Sequence, residues 1–411
     1  MLEIYNILFI ESSFNVQLCE KAHIMSLFCK LYARDMTDDT QPFEESPNDY
    51  GDVYSEVDSL NSLAWSLREV DIERAVELAG NAHLLSLNTR IPYKKGAAFS
   101  HKTLGVIDLN YHHYDEALAH FLEAFDLYKM IDFKEEQLQV HFMIADLYMD
   151  VEAYGEASVY YKSALAFARA IDDTMLVGTL LLRLVEIDVN NEQYRTGRGR
   201  LTQLLSILTM LSLDRPNEVR VMEAHSRYLM CQINCKEGAY DDARTCGLDA
   251  LALLTPDELV LQIHILLYLG DVSLNIKDMA TALLYYQRGL ELTRDQNLHH
   301  EQIEASLKTN TLMIEMGDVR EALKRLERLQ KYVRERGTLV QREHVQLLIA
   351  KAYTQLGLYQ QATPYFTRVA ELKDFRFKRD TQTRNAQHSQ LHAVVVKHMQ
   401  KNLRRSEQLT I

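Results

Sequence analysis

Cys231 and Cys235 stand four residues apart on one face of a helical stretch, with His225 one to two turns upstream. Zinc needs four converging ligands, and no Cys-x-x-Cys pair supplies the others. The two cysteines therefore read as small buried hydrophobes. The 15 histidines include His112-His113, His299-His300 and the i, i+4 pair His388/His392, none accompanied by carboxylates at ligand spacing, so no metal is expected. A catalytic nucleophile must be set apart by a base and an orienting group. Nothing singles out a serine or cysteine in that way, and no nucleotide-binding glycine loop is present. The 22 tyrosines could form a stacking platform, but Tyr148, Tyr161, Tyr286 and Tyr353 fall where a helical core needs aromatic filler. The expectation is a protein without cofactor or enzymatic activity.

The elements that would position such residues are helical. In 411 residues there are only 15 Gly and 6 Pro, too few for the turns of sandwiches, propellers or glycine-loop enzymes. The 47% hydrophobic and 25% charged content is that of a globular chain. Five cysteines fit a reducing compartment, and a cytoplasmic location is expected. No segment is apolar over the roughly 18 residues that a membrane span requires. Glu3, Glu11, Glu20 and Lys21 interrupt the apolar patches of residues 1–31, which lack the basic start and cleavage site of a signal peptide. Residues 35–52 are acidic, carry Pro42 and Pro47, and read as a flexible lead-in. Met36 is an equally natural start, so Met1–Asp35 is expected to lie outside the biological chain.

The stretches LGVIDLNYHHYDEALAHFLEAFDL, IADLYMDVEAYGEASVYYKSALAF, LGDVSLNIKDMATALLYYQRGLEL and IAKAYTQLGLYQQATPYFTRVAEL align without gaps. Each has a small residue, an Ala twelve positions later, an aromatic at +4 from that Ala and usually a small residue at +7. These are Gly105/Ala117/Phe121/Ala124, Ala145/Ala157/Tyr161/Ala164, Gly270/Ala282/Tyr286/Gly289 and Ala350/Ala362/Phe366/Val369. The anchors Ala117, Ala157, Ala282, Ala322 and Ala362 fall on a spacing of 40 or close multiples. Gly197 and Ala243 fill the slot in weaker copies and Ala75 heads the series, which makes eight units. Offsets of +4 and +7 share one helical face. The small residues let two antiparallel helices approach closely, and the aromatic fills the groove against the next pair. Short polar turns (YHHYDE, EAYGEA, NIKDMA, MGDVRE, LGLYQQ) separate the helices, and Thr255-Pro256 reads as a helix start. The unit cannot bury its apolar face alone, so neighbours must stack.

This pattern resembles the tetratricopeptide repeat (TPR) over roughly Asp52 to Asp374. Its period of 40 exceeds the usual TPR period of about 34 residues. Longer helices of this kind resemble kinesin light chain, bacterial peptide-pheromone receptors, maltose-regulator-type activators and the sensory halves of diguanylate cyclases and histidine kinases. HEAT repeats share the period but lack the small–Ala–aromatic triad. The resemblance implies an all-α, right-handed α-solenoid of about eight helix pairs, with an N-terminal arm (1–51), the array (52–374) and a basic C-terminal helix (375–411) that caps the array or links it to an output domain. Departures fall at Gly197/Leu201/Leu204, at Gly247 where an aromatic belongs, and at Asn310/Ala322/Leu326; a bend is expected around LSLDRPNEV.

The net charge of −13 is unevenly distributed. From Arg320 onward 19 Lys and Arg face 8 Asp and Glu, leaving 26 against 50 before it. Lys324, Arg325, Arg328, Lys331, Arg376, Lys378 and Arg379 define an expected basic docking surface for an acidic partner. Nucleic acid is disfavoured, because no recognition helix or RNA-module signature accompanies the charge.

In TPR proteins the first helix of each pair lines a concave groove that takes extended peptides or partner helices. Carried over slot by slot, that implies Lys102, Asp146, Tyr228, Gln232, His264, Asp271, Thr311 and Lys351 as groove residues. The Lys/Asn clamp for a C-terminal carboxylate is not evident. The expected function is that of a non-enzymatic regulatory or scaffold protein binding a protein or peptide, with no membrane partner and the oligomeric state left open. The alternatives are a sensory TPR module of a bacterial signalling system lacking its output domain, and a nucleic-acid-associated transcriptional regulator. Charge changes at Lys102, Gln232 and Asp271 are expected to weaken partner capture without loss of helicity.

Overall fold

A computed structural model describes residues 51–409 apart from 90, 212–215 and 295, and the side chains at all but a few of these positions. The expected N-terminal arm, the proposed start at Met36 and the centre of the expected bend thus lie outside the described residues. Sixteen helices and no strand occur among the described residues. In chain order they fall into eight successive twos: α1 (Gly51–Leu67) packs on α2 (Ile72–Leu87), α3 (Lys94–Asn110) on α4 (Tyr114–Met130), α5 (Lys134–Asp150) on α6 (Tyr154–Ala170), and α7 (Thr174–Asn190) is followed by α8 (Tyr194–Leu211). The second four are α9 (Pro216–Lys236) with α10 (Tyr240–Ala252), α11 (Leu259–Asn275) with α12 (Met279–Leu292), α13 (His299–Met316) with α14 (Val319–Arg336), and α15 (Leu339–Gln355) with α16 (Tyr359–Leu409). The fold class is the all-α array of TPR-like pairs that the sequence implied.

The period of 40 has a simple origin. From α3 to α7 each helix has 17 residues and each turn three, so a half-unit is 20 residues long. Every such turn places one residue in the left-handed region: His112, Asp132, Glu152, Asp172 and Glu192, then Gly238, Lys277, Gly317 and Gly357. The next N–H reaches back five residues to a carbonyl, as from His113 to Asp108, Ala153 to Tyr148 and Leu358 to Tyr353, each at 2.9 Å. That 6→1 bond is the Schellman closure, and it turns the chain with no proline.

The anchor positions form the core. Ala75, Ala117, Ala157, Ala243, Ala282, Ala322 and Ala362 are all buried, as are Phe121, Tyr161 and Tyr286. A Cβ on Gly105 would stand 2.6 Å from the ring of Phe121, and one on Gly270 would stand 2.2 Å from that of Tyr286. The aromatic of each second helix therefore lies directly on the small residue of the first. At Gly247, where the aromatic is missing, Leu269 from the following helix α11 fills the space, 2.6 Å from where a Cβ would be. Phe366, the aromatic of the eighth pair, is exposed.

Two local expectations change. Helix α11 begins at Leu259, with Glu258 as N-cap, three residues beyond Pro256. The Glu258 carboxylate accepts from the Thr255 backbone N–H (2.6 Å) and hydroxyl (2.7 Å), so the Thr-Pro-Asp-Glu run is a turn ahead of the helix. Residues 375–409 do not form a separate helix; they continue α16, a single helix of 51 residues.

Among the described residues, one compact unit comprises 51–187 with 381–409, and the other 188–380. Within each, the first helices of successive pairs touch one another: α1 with α3 and α3 with α5 in the first unit, and α9, α11, α13 and α15 in sequence in the second. Their facing surfaces make one continuous lining per unit.

Candidate functional site

The lining follows from the period. One position after the small residue of each first helix come Asp146, Gln232, Asp271, Thr311 and Lys351, and seven residues before each lie Gln139, His225, His264, Glu304 and His344. A separation of seven is two helical turns, so both rows lie on one face. In the second unit this gives two polar files, one residue per helix.

Much of this polarity is consumed internally. Asp271 accepts from the Tyr286 hydroxyl at 2.6 Å and from Lys308 Nζ at 2.9 Å to both oxygens. In the first unit Asp146 accepts from the Tyr161 hydroxyl and faces Arg183 Nη2 at 3.9 Å, while Arg183 Nη1 donates to Glu186 at 3.1 Å. The two sets are slot-equivalent: the tyrosine lies 15 residues after the aspartate and the cation 37 after it, on the next first helix. Each set pins the second helix of its own pair and the first helix of the next to one carboxylate. Burial works against the Lys308 charge, but Asp271 and Glu304 outweigh it and raise its pKa.

Lys102 is only 1% exposed. Its Nζ meets Glu136 at 2.5 Å and Gln139 at 3.2 Å, and lies over the rings of Phe99 and Trp65 at 4.5 and 5.1 Å. It is a desolvated clamp between α3 and α5, with cation–π contacts completing its shell. Tyr228 is buried edge-on against Tyr268 at 5.8 Å, and His264 is buried in α11. Of the eight residues expected to line a groove, Lys102, Asp146, Tyr228, His264 and Asp271 are therefore buried, and only Gln232, Thr311 and Lys351 are half-exposed. The expectation that Lys102 and Asp271 could change charge without structural cost is corrected, because each such change strands a buried partner.

The units differ in openness. Helices α5 and α7 are buried along nearly their whole length, whereas α9, α13 and α15 keep half-exposed polar positions on the lining. There His344 is pushed down to about 4, by burial and by the nearby Lys351 and Lys308 ammonium groups. At neutral pH the open lining thus offers a cation at Lys351, a neutral imidazole and the amide and hydroxyl of Gln232 and Thr311.

The tetratricopeptide-repeat family model matches residues 344–375, the α15–α16 pair. The fold is similar to that of the apo form of the quorum sensor NprR from B. thuringiensis, at 13% identity and a TM-score of 0.59, over 91% of this chain and all of that one. It is also similar to NprR in complex with its cognate peptide NprX, at 14% identity and a TM-score of 0.50, over 89% of this chain and 98% of that one. Comparison with curated protein sequences gives no match. The last pair is thus a tetratricopeptide repeat, and the array has the fold of tetratricopeptide-repeat solenoids.

The basic surface of this TPR-like array divides in two. Lys324, Arg325, Arg328 and Lys331 are exposed along α14. Arg376, by contrast, is half-buried and donates to Glu343 of α15 at 3.1 Å, and Lys378 pairs with Asp374 one turn back at 2.8 Å. Arg376 is removed from the expected docking surface, Lys378 stays exposed on it, and the side chain of Arg379 lies outside the described residues. No helix among the described residues is long and apolar enough to cross a membrane.

Sequence reasoning missed the Asp–Tyr–cation sets and a seat for the end of α16. The first had a legible signal, the recurrence of +15 and +37 partners at Asp146 and Asp271. The second had half of one. Gln387, Leu391, Val394, His398 and Asn402 form a stripe of steps 4, 3, 4 and 4 that is covered, with Val395 beside it, among the described side chains of that segment. The acceptors of Asn402 on α4 and of the neighbouring His388 on α6 lie more than 230 residues away in sequence.

Proposed function

We propose that this TPR protein is a non-enzymatic cytoplasmic regulator that binds an extended peptide, or a peptide-like segment of a partner protein, along α9, α11, α13 and α15. The observation that carries the reading is the row Gln232, Asp271, Thr311 and Lys351, one side chain per first helix, of which three are half-exposed. A strand-like ligand offers backbone donors and acceptors at regular rises, and a row of amide, hydroxyl and ammonium groups matches that regularity. The buried Asp271–Lys308–Tyr286 set supports the row by holding consecutive helices at a fixed spacing. NprR, of the same fold, has been seen with its cognate peptide, which supports a peptide as the ligand class.

The test uses the full chain. A random heptapeptide library displayed on phage is panned against the wild type and against the triple variant Gln232→Arg, Thr311→Arg, Lys351→Glu, whose sites are half-exposed and whose helicity is checked by circular dichroism. The wild type is expected to enrich a consensus that the triple variant loses. Failure of the wild type to enrich any consensus, or retention of the same consensus by the variant, overturns the reading.

A further inference from the structure

The last part of α16 carries the signature of a ligand. Residues 386–404 include Lys397, Lys401 and Arg404 and no acid. Leu391 is 2% exposed, and Gln387, Val394, Val395, His398 and Asn402 are half-buried along one stripe, while the other described side chains of the segment are in solvent. This stripe lies on the second helices α4 and α6.

The seat is acidic. His398 Nε2 donates to Asp126 at 2.9 Å and its Nδ1 faces Glu123 at 3.7 Å. Asn402 donates to Asp126 at 2.7 Å, Lys401 pairs with Glu123, and His388 meets Glu156 at 3.2 Å. These contacts hold His398 as an imidazolium, pushed up to about 9. Among the described side chains of the segment one apolar group, Leu391, is fully covered, and most of the remaining contacts are ion pairs or hydrogen bonds at a partly wetted surface, which contribute little individually. Such a seat selects a basic helix without holding it irreversibly.

We propose that residues 386–404 are a built-in, displaceable ligand of an acidic seat formed by Glu123 and Asp126 of α4 and Glu156 of α6, and that this seat is a docking site for a basic amphipathic helix of a partner protein. The segment defines the partner's chemistry: a leucine, a cation that also donates a hydrogen bond and an amide, at steps of seven and four, with lysines beside them. The partner competes with a tethered copy at high effective concentration, so capture is gated. The inference is independent of the peptide-binding lining, since it uses other helices and other residues.

The probe is a fluorescein-labelled synthetic peptide of residues 386–404, titrated by anisotropy into full-length protein. In the variant Leu391→Asp, Lys401→Glu the tethered copy is weakened, and the peptide is expected to bind at least tenfold more tightly than to wild type, the factor set by the masked fraction. Adding Glu123→Lys and Asp126→Lys removes that binding. Hydrogen exchange gives a readout that needs no peptide: protection of 386–404 falls in Glu123→Lys and returns in the charge swap Glu123→Lys, Lys401→Glu. Equal peptide affinity for wild type and the released variant, no binding to the released variant, or unchanged protection in Glu123→Lys overturns the proposal. Protection that rises with wild-type concentration assigns the occupant to a second copy and overturns it as well.

Discussion

Replacing Asp271 by alanine is expected to destabilise the second unit by about 3 kcal/mol, and the reasoning can be tested by a double-mutant cycle with Lys308. At roughly 3 Å and an effective dielectric near 20, the direct attraction is about 5 kcal/mol, largely offset by desolvation of both ions. Asp271 is 7% exposed, and the Lys308 side chain is 17% exposed. Removing the carboxylate strands a desolvated ammonium and orphans the Tyr286 hydroxyl, for which the usual cost is about 3–5 kcal/mol. Glu304 also acts on Lys308, which places the loss at the lower end of that range. Lys308→Met is expected to cost about 2 kcal/mol, leaving Asp271 with its tyrosine donor. The double variant Asp271→Ala, Lys308→Met leaves no orphaned charge and should cost about 3 kcal/mol, so the coupling is about 2 kcal/mol. Urea unfolding followed by circular dichroism, together with amide exchange in α11 to α13, measures all four corners. Additive single costs, or a single cost below 1 kcal/mol, would refute the claim that this carboxylate clamps three helices.

Three further outcomes follow from turns, packing and charge. Glu152→Gly and Lys277→Gly relieve left-handed backbone at φ 61° and 64° and should each raise stability by about 0.5–1 kcal/mol, read as a higher urea midpoint. Gly270→Ala gains helix propensity, yet its Cβ meets the Tyr286 ring at 2.2 Å, so a net loss of about 1–2 kcal/mol is expected by thermal unfolding. Docking of residues 386–404 should be strongest between about pH 4 and 6.5. His398 has a raised folded pKa of about 9, so its contribution is complete below the ordinary 6.5 and is lost as pH rises through 9. Asp126 is held below 3.8 because hydrogen bonds from His398 and Asn402 outweigh burial, so its contribution disappears only as pH falls through that lowered value. The groups around this contact are Glu123 and Asp126 of α4, Lys401 and Asn402 of α16, and His101 of α3, which burial and its neighbours His83 and His120 push down to about 3. Protection corrected for intrinsic exchange, measured from pH 4 to 10, should decline above 6.5; a flat profile refutes the assignment.

The array was legible because its determinants are local. Ala117, Ala157 and Ala282 are small for the same reason, the approach of two helices, and Phe121, Tyr161 and Tyr286 recur because the small residue below each leaves room for a ring. The turns were legible as polar breaks, though not as left-handed positions, since His112 and Lys277 carry no glycine to announce them. The lining was legible as a face and misread as a surface. Periodicity assigns Lys102 and Asp271 to the first helices correctly, but it says nothing about whether the next helix brings a counter-charge. Glu136 and Lys308 do so, and the polar residues expected to meet a ligand meet each other.

That misreading separates two uses of charge in this chain. Where the first helices touch, as at Asp146, Arg183 and Glu186 or at Asp271 and Lys308, opposite charges on successive helices are buried together and fix the stacking register. Charge that fixes register is unavailable for recognition, because any ligand group would have to break a desolvated pair. Recognition must therefore rely on positions that the repeat leaves half-exposed: Gln232, Thr311 and Lys351 on the lining, and Glu123, Asp126 and Glu156 on the second helices. The latter already hold a basic helix of the chain itself. Burial, rather than charge or slot, divides the two classes, and mutagenesis aimed at partners should begin from half-exposed residues that share a period with buried ones.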